Sequence, residues 1–260
     1  MNILASDLDG TLIVNNTISD NDINAIKRLK ASGGKFVIST GRTFNGVKNI
    51  IDNYDLQYDY LSLCNGGLII DSNNNVIWDK WVPGHVFKSI VEEYYDNEDV
   101  IISGDNSNQI NVVYKSGFYD NKLSDFNIPF ERVDVEEIRS KDNDYRMLSI
   151  FTFSGDYEWA EKTKNYITNK YGEYVEAYRN QYFIDIVPKN CSKGLALLHI
   201  LDTENQPKEN LYTVGDSFND VPMFNVTPNS YTFNRVENSL KSHANNLIDS
   251  VYEIVDSILV

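Results

Sequence analysis

The sequence predicts an α/β protein: a Rossmann-like parallel-sheet core interrupted by an inserted α+β domain. Three observations predict it. Apolar runs and helical spacings alternate in βαβαβ order up to Gly66, the pattern then becomes mixed, and the alternation resumes after Pro188. At 260 residues the chain has room for two domains. The expected division is 1–81 with 188–260 for the core and 82–187 for the insertion.

The elements follow from local signals. Asn2-Ile-Leu-Ala-Ser6 is a short apolar run that stops at Asp7-Leu-Asp9-Gly-Thr11, so a buried strand ends in a turn that carries carboxylates. Ser19 caps a helix over about 20–32 with Ile23, Ile26 and Leu29 at helical spacing, and Gly33-Gly34 ends it. Lys35–Ser39 and Tyr60–Cys64 read as the next strands, with a helix carrying Val47, Ile50 and Ile51 between them. Right-handed crossovers then make the sheet parallel, with helices on both faces.

Leu68–Ile70 and Val76–Trp78 flank an Asn-rich turn and predict a hairpin. The insertion reads as a helix from His85 to Tyr95, strands at Ile110–Tyr114 and Met147–Phe153, a helix over 156–170, and a strand pair at Glu173–Tyr178 and Tyr182–Val187. Ser192 then caps a helix with Leu195, Leu198 and Leu201. Leu211–Val214 is a strand ending at Gly215-Asp216, and short α and β segments finish the chain.

Composition narrows the function. Forty-two per cent hydrophobic residues supply a packed core. A net charge of −15 repels polyanions, which argues against nucleic-acid and anionic-membrane partners and leaves a small, locally captured ligand. Cys64 and Cys191 sit in no paired or metal-binding pattern, so two reduced thiols are expected. No apolar run approaches the length of a membrane span, and the N-terminus lacks a basic start followed by a long apolar stretch, so a cytoplasmic location is expected.

Four polar clusters fall at strand ends or a helix start, where open α/β sheets place their ligands. They are Asp7–Thr11, Ser39-Thr40-Gly41-Arg42, Lys193-Gly194, and Gly215-Asp216-Ser217-Phe218-Asn219-Asp220. Gathering Asp7, Asp9, Asp216 and Asp220 in one crevice is unfavourable unless cations offset the charge, and an all-oxygen set suits Mg²⁺. Lys193 and Arg42 supply fixed positive charge for a phosphoryl group, with the Thr40 hydroxyl and Gly41 amide as neutral donors. That set fits phosphoryl transfer to Asp7 followed by hydrolysis, with Asp9 giving and then taking a proton.

These four motifs, in this order, resemble the Cof-type (type IIB) phosphatases of the haloacid dehalogenase-like superfamily. The resemblance spans essentially the whole chain, although the insertion matches in placement and size more than in residues. It implies that the insertion is a type II cap that selects substrates. It assigns Asp7 as nucleophile and metal ligand, Asp9 as acid/base and backbone-carbonyl ligand, and Asp216 as the remaining ligand. The Leu8 amide, Thr40, Gly41, Lys193 and Asn219 become phosphate contacts, with Asp220 and Ser217 in support. The implied activity is Mg²⁺-dependent hydrolysis of a small phosphorylated metabolite: a sugar phosphate, a nucleotide or a cofactor phosphate. A related phosphotransferase or phosphomutase, or a non-catalytic sensor of a phosphometabolite, shares most of these residues, although a sensor has no need of Asp9. One departure is Arg235, which stands where the family has a small residue.

Other polar residues carry less. His85, His199 and His243 lie outside the motifs and read as packing residues. Tyr178, Arg179, Tyr182 and Asp185 fit strand packing as well as substrate contact, and Asn65-Gly66 fits a turn or hinge at a strand end at least as well as ligand contact.

Overall fold

The computed structural model describes residues 1–106, 110–115, 130–141 and 143–259. The chain divides into two compact units, Met1–Asp79 with Cys191–Val260 and Lys80–Asn190. The first unit begins with β1 (Ile3–Ser6), α1 (Asp20–Ala31), β2 (Lys35–Ser39), α2 (Phe44–Tyr54) and β3 (Tyr60–Leu63). The Ser19 hydroxyl accepts the Asp22 amide at the start of α1, whose Ala25, Ile26 and Leu29 are buried. The hairpin strands β4 (Leu68–Asp71) and β5 (Val76–Asp79) follow.

The second unit comprises α3 (Gly84–Tyr94), β6 (Val100–Asp105), β7 (Ile110–Val113), β8 (Glu131–Arg132), α4 (Val135–Ser140), β9 (Met147–Thr152), α5 (Tyr157–Tyr171), β10 (Val175–Asn180) and β11 (Phe183–Pro188). Its sheet runs β10-β11-β9-β6-β7-β8. Val86, Phe87 and Ile90 of α3 and Ala160 and Ile167 of α5 pack with Ile102, Leu148, Ile150, Ile184 and Ile186 into one core. The sequence does not signal β6, β8 or α4. The run Val100-Ile101-Ile102 is short, and β6 becomes a strand by antiparallel pairing with β9, whose residues lie over forty positions later.

The first unit resumes with α6 (Lys193–Thr203), β12 (Leu211–Val214), α7 (Val221–Phe224), β13 (Asn229–Phe233), α8 (Asn238–Lys241), β14 (Asn246–Ile248) and α9 (Tyr252–Ile258). Its sheet runs β14-β13-β12-β1-β2-β3-β4-β5. The strands from β14 to β3 are parallel as expected, whereas β4 and β5 add antiparallel, making a mixed sheet. A hairpin turn allows only antiparallel pairing, which explains the change of direction. Among the described residues no helix is long and apolar enough to cross a membrane.

Strand parity positions the site. Ile3 and Ala5 pack with Val37, Leu211 and the inner face of α6, namely Ala196, Leu197, Ile200 and Leu201. Side chains alternate along a strand, so Asp7 emerges on the same side, at the end where α6 begins. Leu195 of α6 faces outward instead and is 40% exposed.

Candidate active site

The first motif closes β1 in a tight turn. The Asp7 amide donates to the Val214 carbonyl at 2.9 Å, which extends the β1–β12 ladder by one residue and fixes the nucleophile candidate to the sheet. Gly10 adopts φ +78°, and a Cβ there would lie 2.3 Å from Asp216 Oδ2. Only glycine meets both conditions. The Thr11 hydroxyl donates to Asp216 Oδ1 at 2.9 Å, so the first and fourth motifs are joined directly.

Lys193 is the first residue of α6, behind its Ser192 cap, and its side chain is fully buried. Its ammonium donates to Asp7 Oδ1 and to Asp220 Oδ1, each at 2.6 Å. Asp220 is itself fully buried, and its second oxygen accepts the amides of Asp216 (2.9 Å) and Ser217 (3.0 Å). Ser217 reciprocates from its hydroxyl, forming a capping box with Asp220. Asp220 therefore shapes the fourth-motif loop while it holds Lys193 against Asp7.

Oxygens of Asp7, Asp216 and Asp220 lie within 4.8 Å of one another. Burial raises the Asp7 carboxyl well above the usual range; Lys193 opposes this, and Asp220 and Asp216 add to it. Burial, reinforced by Asp220, pushes Asp216 up to about 6. Burial works against the Lys193 charge, but Asp220 and Asp7 outweigh it and hold the ammonium above its ordinary range. One ammonium thus faces three carboxylates, two of which resist ionisation. A hard divalent cation would supply the missing charge, and the all-oxygen donors suit one. Asp7 and Asp216 have the oxygens to hold Mg²⁺, together with the Asp9 backbone carbonyl that the family pattern nominates.

The remaining sequence-predicted residues divide. The Asp9 carboxylate lies outside the acidic group, half exposed, and is gripped by Arg42 through Nε–Oδ2 and Nη2–Oδ1 contacts of 2.7 Å each. Arg42, expected as a positive charge for the phosphoryl group, has its guanidinium engaged by Asp9 and by the Gly46 carbonyl at 3.0 Å. Bidentate geometry favours a carboxylate over open solvent as its partner. Thr40 is buried, its hydroxyl accepting the Arg42 amide at 3.1 Å, while Gly41 is half-buried beside it. The Leu8 side chain is fully buried, so only its backbone is available to a ligand. Asn219 is buried and donates to Asn65 Oδ1 at 3.2 Å.

The sequence left Asn65 open between turn and ligand contact, set Thr11 in the first motif without a role of its own, and did not signal the Arg235 contact. Arg235 donates to the Gly10 carbonyl at 2.5 Å with its guanidinium 3.6 Å from the centre of the Phe233 ring. The signal for Thr11 was available in the Asp-x-Asp-Gly-Thr run. The other two contacts join residues far apart in sequence.

A carboxylate-lined crevice at the C-terminal edge of a parallel sheet, with a buried lysine on the central aspartate, defines a class of phosphoryl-handling hydrolases. The haloacid dehalogenase-like hydrolase family matches residues 4–259, and the chain belongs to that family, as a Cof-type phosphatase by its four motifs. It is 24% identical over 265 residues to the 5-amino-6-(5-phospho-D-ribitylamino)uracil phosphatase YwtE of Bacillus subtilis (strain 168), covering 93% of this chain and 90% of that protein. SMU.1108c from Streptococcus mutans UA159 has the same fold, with a TM-score of 0.86 at 20% identity, covering 99% of this chain and 98% of the other. So does the subclass IIB sugar phosphatase BT4131, with a TM-score of 0.83 at 19% identity and 99% of each chain covered.

Proposed function

We propose that this chain is a Mg²⁺-dependent phosphomonoesterase acting on a small phosphorylated metabolite through an aspartyl-phosphate at Asp7. The observation that carries the reading is the buried Lys193 ammonium held 2.6 Å from Asp7, with Asp216 and Asp220 gathered around it. Bound Mg²⁺ would neutralise charge between the nucleophile and the incoming phosphoryl group.

The chain's own groups carry out the proton and phosphoryl steps. Asp7 attacks phosphorus in line, and its Oδ–P bond forms as the bond to the leaving oxygen breaks. Lys193, the Thr40 hydroxyl, the Gly41 and Leu8 amides and the Asn219 amide orient the phosphoryl oxygens. Asp9 leaves Arg42, takes up a proton from solvent and gives it to the leaving oxygen. It then takes a proton from the water that cleaves the acyl phosphate, regenerating Asp7 and releasing inorganic phosphate.

The phosphorylated ribitylamino-uracil in one relative's name and the sugar phosphates of BT4131 support a polyol or sugar phosphate as the substrate class. A cytoplasmic location fits the two buried thiols of Cys64 and Cys191. The test is phosphate release from p-nitrophenyl phosphate, then from sugar phosphates, nucleotides, flavin mononucleotide and pyridoxal phosphate, by wild type and Asp7→Asn. Asp7→Asn is expected to lose at least about a thousandfold in kcat. Equal rates for the two proteins would remove the nucleophile assignment.

A further inference from the structure

Residues 64–66 form a strained turn at the end of β3, which the chemistry above does not use. Cys64, Asn65 and Gly66 all have positive φ, at 51°, 50° and 91°. Three consecutive left-handed residues, two of them not glycine, are costly and persist only where the surroundings impose them. The surroundings here are site elements. The Asn65 amide donates to the Thr40 carbonyl at 3.0 Å. A Cβ on Gly66 would lie 2.3 Å from the Ser192 carbonyl, the residue that caps the helix carrying Lys193. The turn is therefore wedged between the strand end that carries Thr40 and the helix start that carries Lys193.

The Asn65 side chain reaches the fourth motif. It is 1% exposed, and its Oδ1 accepts from Nδ2 of Asn219, which is 3% exposed. The Asn219 side-chain oxygen is buried with no partner among the described residues. Asn219 thus has one N–H committed to Asn65 and an amide oxygen that no described residue satisfies. A buried acceptor in this state is completed by water or another donor, whereas the second N–H of the Asn219 amide is the group that can donate to an anion. Turning the Asn219 amide over would set its oxygen against Asn65 Oδ1, acceptor to acceptor, so Asn65 fixes which end of the amide faces which way.

We infer that Asn65 is a positioning residue for phosphate capture: held in place by its turn, its side-chain oxygen orients the Asn219 amide. This rests on the reading of Asn219 as a phosphate contact. Asn65 touches neither the reacting atoms nor the metal set, and acts through Asn219.

Asn65→Gly and Asn65→Ala separate the side chain from the backbone. Both remove the acceptor, but glycine relaxes the left-handed turn and alanine strains it. Inorganic phosphate is the probe, measured as the inhibition constant against p-nitrophenyl phosphate and, with Mg²⁺ present, as a dissociation constant by calorimetry. Both variants are expected to weaken phosphate about three- to tenfold, by equal amounts, despite different melting temperatures. In an Asn219→Ala background, Asn65→Gly is expected to have no further effect, because the group it positions is gone. The inference is overturned if Asn65→Gly binds phosphate as wild type does, if its effect multiplies with that of Asn219→Ala, or if affinity follows melting temperature. Failure of both variants to fold makes the role structural and overturns it too. Wild type that neither binds phosphate nor hydrolyses phosphomonoesters removes the functional reading itself, along with this inference.

Discussion

Replacing Lys193 by methionine removes the ammonium from the centre of the site while nearly conserving volume. The ammonium is fully buried and lies 2.6 Å from both Asp7 and Asp220, which are 6% and 0% exposed. Removing one partner from a buried ion pair leaves an uncompensated charge and costs about 3–5 kcal/mol. Spread over a unit of roughly 150 residues, at about 2–4 °C per kcal/mol, this lowers its melting temperature by about 6–20 °C. Calorimetry at pH 8 without divalent metal is the assay. The sign of the pH dependence is fixed. The Asp7 carboxyl, already raised by burial, resists ionisation more strongly once Lys193 no longer opposes it, so its folded-state pKa rises further above the unfolded value of about 3.9. The penalty is absent below that value and grows as pH climbs towards the folded pKa, so the deficit at pH 8 exceeds that at pH 5. A loss under about 2 °C, or one that is the same at both pH values, would refute the charge argument.

The wild-type protein without metal should show the same trend in milder form. Asp216 is raised to about 6 and Asp7 is raised as well, so stability falls as pH rises from about 4 through about 6. Mg²⁺ should therefore raise the melting temperature more at pH 7.5 than at pH 5, and equal increments would contradict the metal assignment. Gly10→Ala forces a side chain into φ +78° and onto Asp216 Oδ2 at 2.3 Å. It should cost about 1–2 kcal/mol from backbone handedness alone and lower kcat/KM by at least about a hundredfold, read by melting temperature and by p-nitrophenyl phosphate kinetics.

What the sequence revealed follows the range of the interactions involved. Asp7, Asp9, Gly10 and Thr11 lie within one turn, and Ser217 and Asp220 within one capping box, so their chemistry shows in adjacent letters. The short apolar run Asn2–Ser6, stopping at Asp7-Leu-Asp9-Gly-Thr11, was enough to place a carboxylate at a strand end. By contrast, Asn65 meets Asn219 across 154 positions and Arg235 meets Gly10 across 225, and no local pattern encodes either contact. The same holds for β6, which depends on β9. Arg42 was legible as a cation near the site but not as the partner of Asp9, because a guanidinium serves a phosphate or a carboxylate with the same fork.

The two cations of the site sit in pairs of very different strength, and that difference bears on turnover. Arg42 and Asp9 have side chains 28% and 50% exposed. Exposed pairs contribute about 0–1 kcal/mol, because water replaces either partner at little cost. Lys193 and Asp220 are fully buried, and separating them costs several times as much. A phosphatase cycle asks opposite things of the two groups concerned. The nucleophile must stay oriented through two in-line displacements, whereas the acid/base must give up a proton, regain it and change partners between leaving oxygen and water. On the proposed assignment, the nucleophile Asp7 is the group held in the strong pair and the acid/base Asp9 the group held in the weak one. Arg42 can therefore be exchanged for substrate within the energy of an ordinary binding contact, while Lys193 stays fixed on Asp7 and Asp220.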